Sequence, residues 1–360
     1  MTTMSDLAER HRRLYSAAAR MMWSQGDPVW RGDRWPEERA RTWRALEKAL
    51  LDVPTGSTPS AGPVDPAFHL ASGRAGAGGG IPFDAAVRGW EARLDADPGP
   101  SAPVGGGAAV VEAVWQTTVT ELLDELAARL APGRPGCVVT QDAADLAGAV
   151  GEMAAALRAP FGDRAEPPVG SAAPLPEGGP EAGRPVAEGD HDRLSQAARA
   201  AARAMPSRAE AEREADFSVR VAACDAAADL ERIVGGEAAP GWRERYPDVE
   251  PDRHLVWGYR WSGGAGRPLS FVERAAELRA DLAGRPAPRA AAPDDPVLQD
   301  PPPDGSLVAV SRAAALVGAE LLDELAARLA PGASTGTIHF TAYPVHLFLK
   351  GRFRRALTAG

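Results

Sequence analysis

The chain has 360 residues, and its 40 Lys and Arg residues against 49 Asp and Glu residues leave a net charge of −9. This length is enough for two or three ordinary domains. An acidic chain is repelled by nucleic acid and anionic lipid unless it carries a basic patch. The one short basic run, Lys350 to Arg355, is interpreted as a solvated tail, so we expect neither nucleic acid nor a membrane as a partner.

The amino-acid usage reflects a GC-rich genome, because Asn is absent and Lys occurs only at Lys48 and Lys350. Arg-richness is therefore no evidence for phosphate binding. The 2 cysteines are too few for a disulfide framework. The N-terminus is polar, and no uncharged apolar run approaches the roughly 20 residues of a membrane helix. These features predict a cytoplasmic protein.

The N-terminal residues 1–53 are predicted to form a pair of helices, one over 5–24 and one that starts near Pro36 and ends at Pro54. Four tryptophans lie in or between these helices, and we expect them to be buried. They are Trp23, Trp30, Trp35 and Trp43. Core packing between the two helices is the favoured role, and an interface with a partner is the alternative.

Residues 83–160 are predicted to form a helix–strand–helix unit. Pro and Gly over 54–82 indicate a linker or long loop, and a short helix follows over 83–95. A longer helix is predicted over 109–131. The apolar run Cys137 to Thr140 predicts a short strand, and the spacing of Leu146, Val150, Met153 and Leu157 predicts a helix.

The C-terminal part is predicted to contain a disordered linker over 161–192 and two further units, 193–284 and 306–360. Two Ser-x-x-Glu capping boxes, at Ser207 and Ser270, predict helix starts. Alternating large residues predict a half-buried strand over 255–261. A helix near 307–330 and one or two strands around 337–349 complete the chain. The fold class is therefore α+β: predominantly helical, with a few short strands, in helix–strand units near 109–158 and 307–349.

A thirteen-residue segment occurs twice without change, at Glu121–Gly133 and at Glu320–Gly332. Such identity does not recur by chance, and a common origin is its natural interpretation. Leu122, Leu126 and Leu130 form an apolar stripe, which each copy packs on a core or on the other copy.

Motifs for the common enzyme classes are missing or misplaced. The chain has no P-loop sequence, no His-Glu-x-x-His and no Cys-x-x-Cys. Gly332–Gly336 matches the Gly-x-Ser-x-Gly of hydrolases, but a helix precedes it and a strand is predicted after it, the reverse of that motif's context. The acidic run 294–300 lies between prolines, which exclude the helix that a magnesium-binding carboxylate pair needs. No metal or cofactor is predicted.

Six side chains remain as candidates for a site. His254, Trp257 and Tyr259 belong to the aromatic strand, where aromatics and a few polar groups could line a ligand pocket. His339, Tyr343 and His346 belong to the C-terminal segment, and Pro344 could bring the two imidazoles together as an acid–base pair. Separate structural roles for these residues are the simpler interpretation.

The favoured hypothesis is therefore a non-enzymatic component in protein–protein interaction or assembly, which binds a protein partner or itself. The alternative is an enzyme whose site is assembled from the scattered candidates near 255–261 and 337–349.

Overall fold

The structure is a computed structural model that describes the following residues and ranges: 4–25, 35–53, 65–74, 80–97, 99, 107–131, 138–164, 186–214, 221–238, 250–260, 267–292, 294–299, 302, 305–333, 338 and 340–358. The fold is predominantly helical with a few short antiparallel strands, which confirms the α+β class. None of the helices in these ranges is long and apolar enough to cross a membrane.

Four long helices pack into a bundle. They are α1 (Met4–Gln25), α2 (Glu37–Asp52), α6 (Glu188–Ala204) and α8 (Val221–Val234); the short helix α7 (Arg208–Glu214) packs on α8. Alanines and larger apolar side chains form the shared core of these helices. The alanine-rich faces let the helices approach one another closely.

The structure describes the side chains of two of the four N-terminal tryptophans, Trp35 and Trp43. Trp35 is 6% exposed and Trp43 is 2% exposed, and their rings meet edge to face at 5.1 Å. Trp30 and the side chain of Trp23 lie outside the described residues. The two described tryptophans contribute to the core of the bundle.

The remaining described elements surround a second, larger core. Its strands are β1 (His69–Arg74), β2 (Gly80–Pro82), β3 (Ala108–Glu112), β4 (His254–Arg260), β5 (Arg267–Ser270), β6 (Arg289–Ala290) and β7 (Leu307–Ser311). Its helices are α3 (Phe83–Ala96), α4 (Ala113–Arg129), α5 (Ala144–Arg158), α9 (Phe271–Leu282), α10 (Pro296–Gln299), α11 (Arg312–Leu329), α12 (Tyr343–Phe348) and α13 (Arg354–Thr358), and a π-helical turn at Leu349–Phe353 joins the last two.

The strands form three small antiparallel sheets. β1 pairs with β2, and β4 pairs with β5; we call these pairs the first hairpin and the second hairpin. The third sheet has the order β6–β3–β7, and the helices that follow its two longer strands, α4 and α11, pack on each other. In each case the chain passes from a strand directly into a helix.

The order within the two repeat-bearing units is the reverse of the prediction. The predicted helix 109–131 begins with strand β3, and the predicted helix 307–330 begins with strand β7. The run Cys137 to Thr140 does not form a strand in its described part, where Val138 makes a single bridge and Val139 bonds to residues 332 and 333. The sequence of Ala108–Glu112 suits a helix as well as a strand, and the pairing of β3 with β7 and β6 makes it a strand.

Two other predictions were wrong in part. The predicted loop 54–82 contains the first hairpin. Residues 285–305, which lie between the predicted units 193–284 and 306–360, contain β6 and α10. The predicted strands at 337–349 are a 3₁₀ turn and helix α12 wherever they are described, because Pro344 stands in the first helical turn, where proline is tolerated. Both capping boxes are confirmed, with Ser207 bonded to Glu210 and Ser270 to Glu273.

The predicted linker 161–192 lies mostly outside the described residues, but its end is ordered. Helix α6 starts at Glu188, and Asp190 is 2% exposed, where its carboxylate accepts the backbone N–H of Ala187. Asp190 therefore caps a helix rather than lying in solvent. The division of the chain into five units stays a prediction.

Candidate interaction surface at the second hairpin

The two hairpins begin with the same local structure. Asp65-Pro66 precedes His69-Leu70 in the first hairpin, and Glu250-Pro251 precedes His254-Leu255 in the second. His69 Nδ1 accepts the backbone N–H of Asp65 at 3.1 Å. His254 Nδ1 accepts the backbone N–H of Glu250 at the same distance. Each imidazole therefore closes the turn that leads into its hairpin.

A buried ion pair holds the second hairpin on α4. Glu125 lies 2.7 Å from Arg129, and their side chains are 2% and 7% exposed. The Glu125 carboxylate accepts the backbone N–H of Val256 at 3.1 Å. Arg129 donates to the carbonyl oxygens of Pro251 and His254 at 3.2–3.3 Å. Charges as deeply buried as these are tolerated because each is paired and hydrogen-bonded.

A second ion pair holds the first hairpin on α11 in the same way. Glu324 and Arg328 are 2.6 Å apart, and both side chains are 0% exposed. Glu324 accepts the backbone N–H groups of Ala71 and Ser72 at 3.0 and 2.8 Å. Arg328 donates to the carbonyl oxygens at positions 66 and 69, both at 3.1 Å. We call these two ion pairs the clamps.

Each clamp arginine also faces an aromatic ring at the start of the helix after its hairpin. The Arg129 guanidinium lies 5.2 Å from the ring of Phe271, and that of Arg328 lies 5.6 Å from the ring of Phe83. Both distances lie within the range of cation–π attraction. The four clamp residues all lie inside the thirteen-residue repeat, so the repeat preserves the contacts that fix the hairpins. Sequence reasoning missed this role, although the shared Pro-x-x-His-Leu of the hairpins was a readable signal.

The two hairpins differ in side chains, because the clamps bond to their backbone groups. Counted from the shared motif, Trp257 and Tyr259 of β4 stand where β1 has Ser72 and Arg74. Counted from the matched Phe83 and Phe271, Val272 stands where α3 has Asp84. At these three positions the second hairpin region is more apolar than the first, whereas in the turn Asp252 and Arg253 stand where the first has Ala67 and Phe68.

Two exposed valines border residues 250–253, the turn that leads into the second hairpin. Val138 is 61% exposed and Val272 is 57% exposed; of the large apolar side chains among the described residues, only Leu51 joins them in being exposed. The backbone N–H of Thr140 donates to the Asp252 carbonyl at 3.0 Å, and that of Phe271 donates to the carbonyl at position 253, also at 3.0 Å. Each valine therefore lies within two residues of a group bonded to this turn. We call Val138, Val272 and the turn 250–253 the valine surface.

The described residues in and around the valine surface are mainly acidic. Asp142 is exposed, and Asp252 is half-buried. Glu250 lies 3.8 Å from Arg253, and Asp145 lies 3.4 Å from Arg279, so these two carboxylates are paired at the rim. Exposed pairs of this kind are weak, which leaves the carboxylates able to change partner.

The described candidate residues lie on different elements. His254 is the first residue of β4, after the turn that leads into the second hairpin, whereas Tyr343 and His346 lie on α12. Their rings stack with centroids 6.4 Å apart, and the two residues are 3% and 5% exposed. Trp257 and Tyr259 lie on β4, but their side chains fall outside the described residues, as does all of His339. A catalytic role for these residues stays a prediction.

Among the described residues, no group of three or more His, Cys, Asp or Glu side chains is arranged to hold a metal ion. Comparison of the chain with protein-family models, curated protein sequences and solved structures gives no match.

Proposed function

We propose that the protein is a non-enzymatic component of a protein–protein assembly and that the valine surface contacts the partner. The observation that carries the proposal is the pair Val138 and Val272. Scattered apolar residues are normal on a protein surface. Here, however, two of the three large exposed ones in the described part of the chain border a single turn.

The comparison of the two halves supports the same surface. The matched region around the first hairpin has the same turn, clamp and helix start, yet it has Asp84 where the second has Val272. The fold therefore does not require an apolar residue at the position of Val272. An exposed apolar side chain that the fold does not use favours contact with another molecule.

The charges around the valine surface indicate the chemistry of the partner. Asp142 beside the valine surface and Asp252 within it give its described part an acidic character, and the whole chain has a net charge of −9. A second copy would bring the same acidic rim into contact with the first, which costs free energy through like-charge repulsion. A different protein, with an apolar contact surrounded by Lys or Arg, fits better than self-association.

Photocrosslinking in the cells that make the protein tests the proposal. A photoreactive amino acid at position 272 is expected to give a specific crosslinked protein, whereas the same group at the matched position 84 is not. Val272→Asp, which copies the first half, is expected to remove that protein from affinity-purified samples, and Asp84→Ala is the matched control. Equal crosslinking from both positions, crosslinking only between copies of the chain, or full recovery of the protein with Val272→Asp would contradict the proposal.

A further inference from the structure

We infer that the chain is a fused pair of equivalent halves, residues 4–164 and 186–358, and that the surface through which each half binds the other is a homodimer-type interface. The partner that this surface fits is another half of the same fold. This inference does not depend on the proposed function.

The pairing of β3 with β7 is the first line of evidence. Val110 lies opposite Ala309, and these two residues are separated by the same spacing as Glu121 and Glu320 of the repeat. We call it the repeat spacing. Val110 thus pairs with its own counterpart. The pairs on either side of it, Ala109 with Val310 and Val111 with Val308, correspond to each other at the repeat spacing. Antiparallel pairing of this kind is the signature of a twofold axis between identical strands.

The segments that follow the repeat also correspond. At the repeat spacing, the 3₁₀ turn Gln141–Ala143 matches Phe340–Ala342, and the start of α5 matches the start of α12. The matched positions are buried in both halves. They are Val139 and Ile338, Ala143 and Ala342, Leu146 and Val345, and Val150 and Leu349. Beyond the π-helical turn the match continues one residue later, from Leu157 to Leu357, because a π turn accommodates a one-residue insertion.

The helical bundle shows the same relationship. His11-x-Arg13-Leu14 in α1 matches His191-x-Arg193-Leu194 in α6. The rings of His11 and His191 lie 5.7 Å apart, so here too counterparts meet across the interface. Helix α1 packs on α8 while α2 packs on α6, which is the reciprocal arrangement that a twofold axis produces.

The halves also exchange contacts in the larger core. The clamp in α4 of the first half holds the second hairpin, and the clamp in α11 of the second half holds the first hairpin. Helix α5 packs on α9 and α11, whereas α12 packs on α3. Each hairpin thus obtains its ion pair from the other half, and a half on its own lacks the backbone groups of the hairpin to which its clamp bonds.

Fusion explains how the halves differ. Eleven residues, 97–107, join α3 to β3, whereas twenty-four residues, 283–306, join α9 to β7. The longer connection supplies β6 and α10, which cover one edge and one face of the central sheet. Two identical subunits could not carry this addition once only, but a fused chain can. A protein made of one such half is expected to be a homodimer.

Severing the intact protein tests the inference. A recognition sequence for a site-specific protease is inserted within residues 165–185, the chain is purified whole, and it is then cut. We expect the two pieces to elute as one particle with the mass of the uncut chain and to unfold in one transition near the uncut melting temperature. The uncut insertion variant shows whether the insertion itself disturbs the fold.

The interface is then weakened at matched points in the cut protein. Glu320 of the second half bonds to Trp90 and Arg93 of the first half, at 3.0 and 2.5 Å. Glu121 of the first half bonds to Arg274 of the second at 2.8 Å. Glu320→Gln and Glu121→Gln are each expected to raise the dissociation constant of the cut halves several-fold. Pieces that separate into two folded monomers, that unfold in two independent transitions, or that separate and aggregate after cutting would overturn the inference.

Discussion

Glu324 and Arg328 form an ion pair from which solvent is excluded, with both side chains 0% exposed. Such pairs are costly to bury and contribute little by themselves. This one instead fixes the first hairpin, because its polar atoms bond to backbone groups of β1 and of the turn before it.

Glu324→Ala should lower the free energy of unfolding by about 3–5 kcal/mol, since it leaves Arg328 buried without its carboxylate. Glu125→Ala should have an effect of the same order through Arg129. Urea unfolding measures both, and the exposed Glu91→Ala is the control, expected within about 0.5 kcal/mol of the parent protein. A loss below about 1 kcal/mol for either clamp variant would show that its hairpin does not depend on the ion pair.

Val272→Asp should leave stability unchanged or raise it slightly. Val272 is exposed, and it stands in the first turn of α9, where a carboxylate gains about 0.3–1 kcal/mol from the helix dipole. Thermal unfolding measures the change. A drop of several degrees would mean that Val272 supports the fold, and its loss of binding could then not be assigned to a partner contact.

Trp43→Ala should destabilise the bundle by about 3–5 kcal/mol, the usual cost of truncating a buried aromatic residue. Trp43 is 2% exposed and packs edge to face on Trp35. Trp43→Phe keeps most of the buried area and should cost much less. Near-ultraviolet circular dichroism during a thermal melt measures both, and equal melting temperatures for the parent and Trp43→Ala would rule out a core role.

His191 should make the bundle less stable in mild acid. Burial, together with the nearby charge of Arg10, lowers the pKa of His191 below its ordinary value of 6.5, although Asp192 and Glu188 oppose the shift. The unfolded chain therefore takes up the proton first. The contribution of neutral His191 to the free energy of unfolding is complete above pH 6.5, and it is lost as the pH falls from 6.5 toward the lowered pKa.

Melting temperatures measured from pH 8 to pH 5 test this, with His191→Gln as the comparison. The variant should show a smaller loss of melting temperature over this window than the parent protein. If both lose the same amount, other groups account for the acid sensitivity.

The sequence predicted most helices because their signals are local. The capping boxes at Ser207 and Ser270 bond within three residues, and periodic apolar faces mark α1, α3 and α5. The sequence could not predict β3, whose Ala-Ala-Val-Val-Glu suits a helix as well as a strand. Its partner β7 lies in the other half of the chain, so the decisive contact is non-local.

The candidate surface was less predictable than the fold. His254 was singled out for chemistry, and that role stays a prediction; in the structure it closes the turn before the second hairpin, as His69 does before the first. Val138 and Val272 carry no motif, and only their exposure in the folded protein distinguishes them. Tyr343 and His346 resembled strand residues because aromatic and β-branched neighbours surround them, but Pro344 starts a helix there.

Leu126 and Leu325 should be equivalent in their contribution to stability. Both are 0% exposed in one shared core, and each follows the glutamate of its clamp. Leu→Ala at either position should cost about 2–5 kcal/mol, and Leu→Asp should cost more, because it buries a carboxylate without a partner.

The two Leu→Ala variants give the sharper comparison, because both are expected to fold. Urea unfolding should give free-energy losses that agree within about 1 kcal/mol, since the helices α4 and α11 occupy matched places in the core. The single unfolding transition should persist, because each helix holds the hairpin of the other half and the two halves cannot unfold separately. A difference of more than about 2 kcal/mol, or two separate transitions in either variant, would mean that the two copies of the repeat no longer have the same structural role.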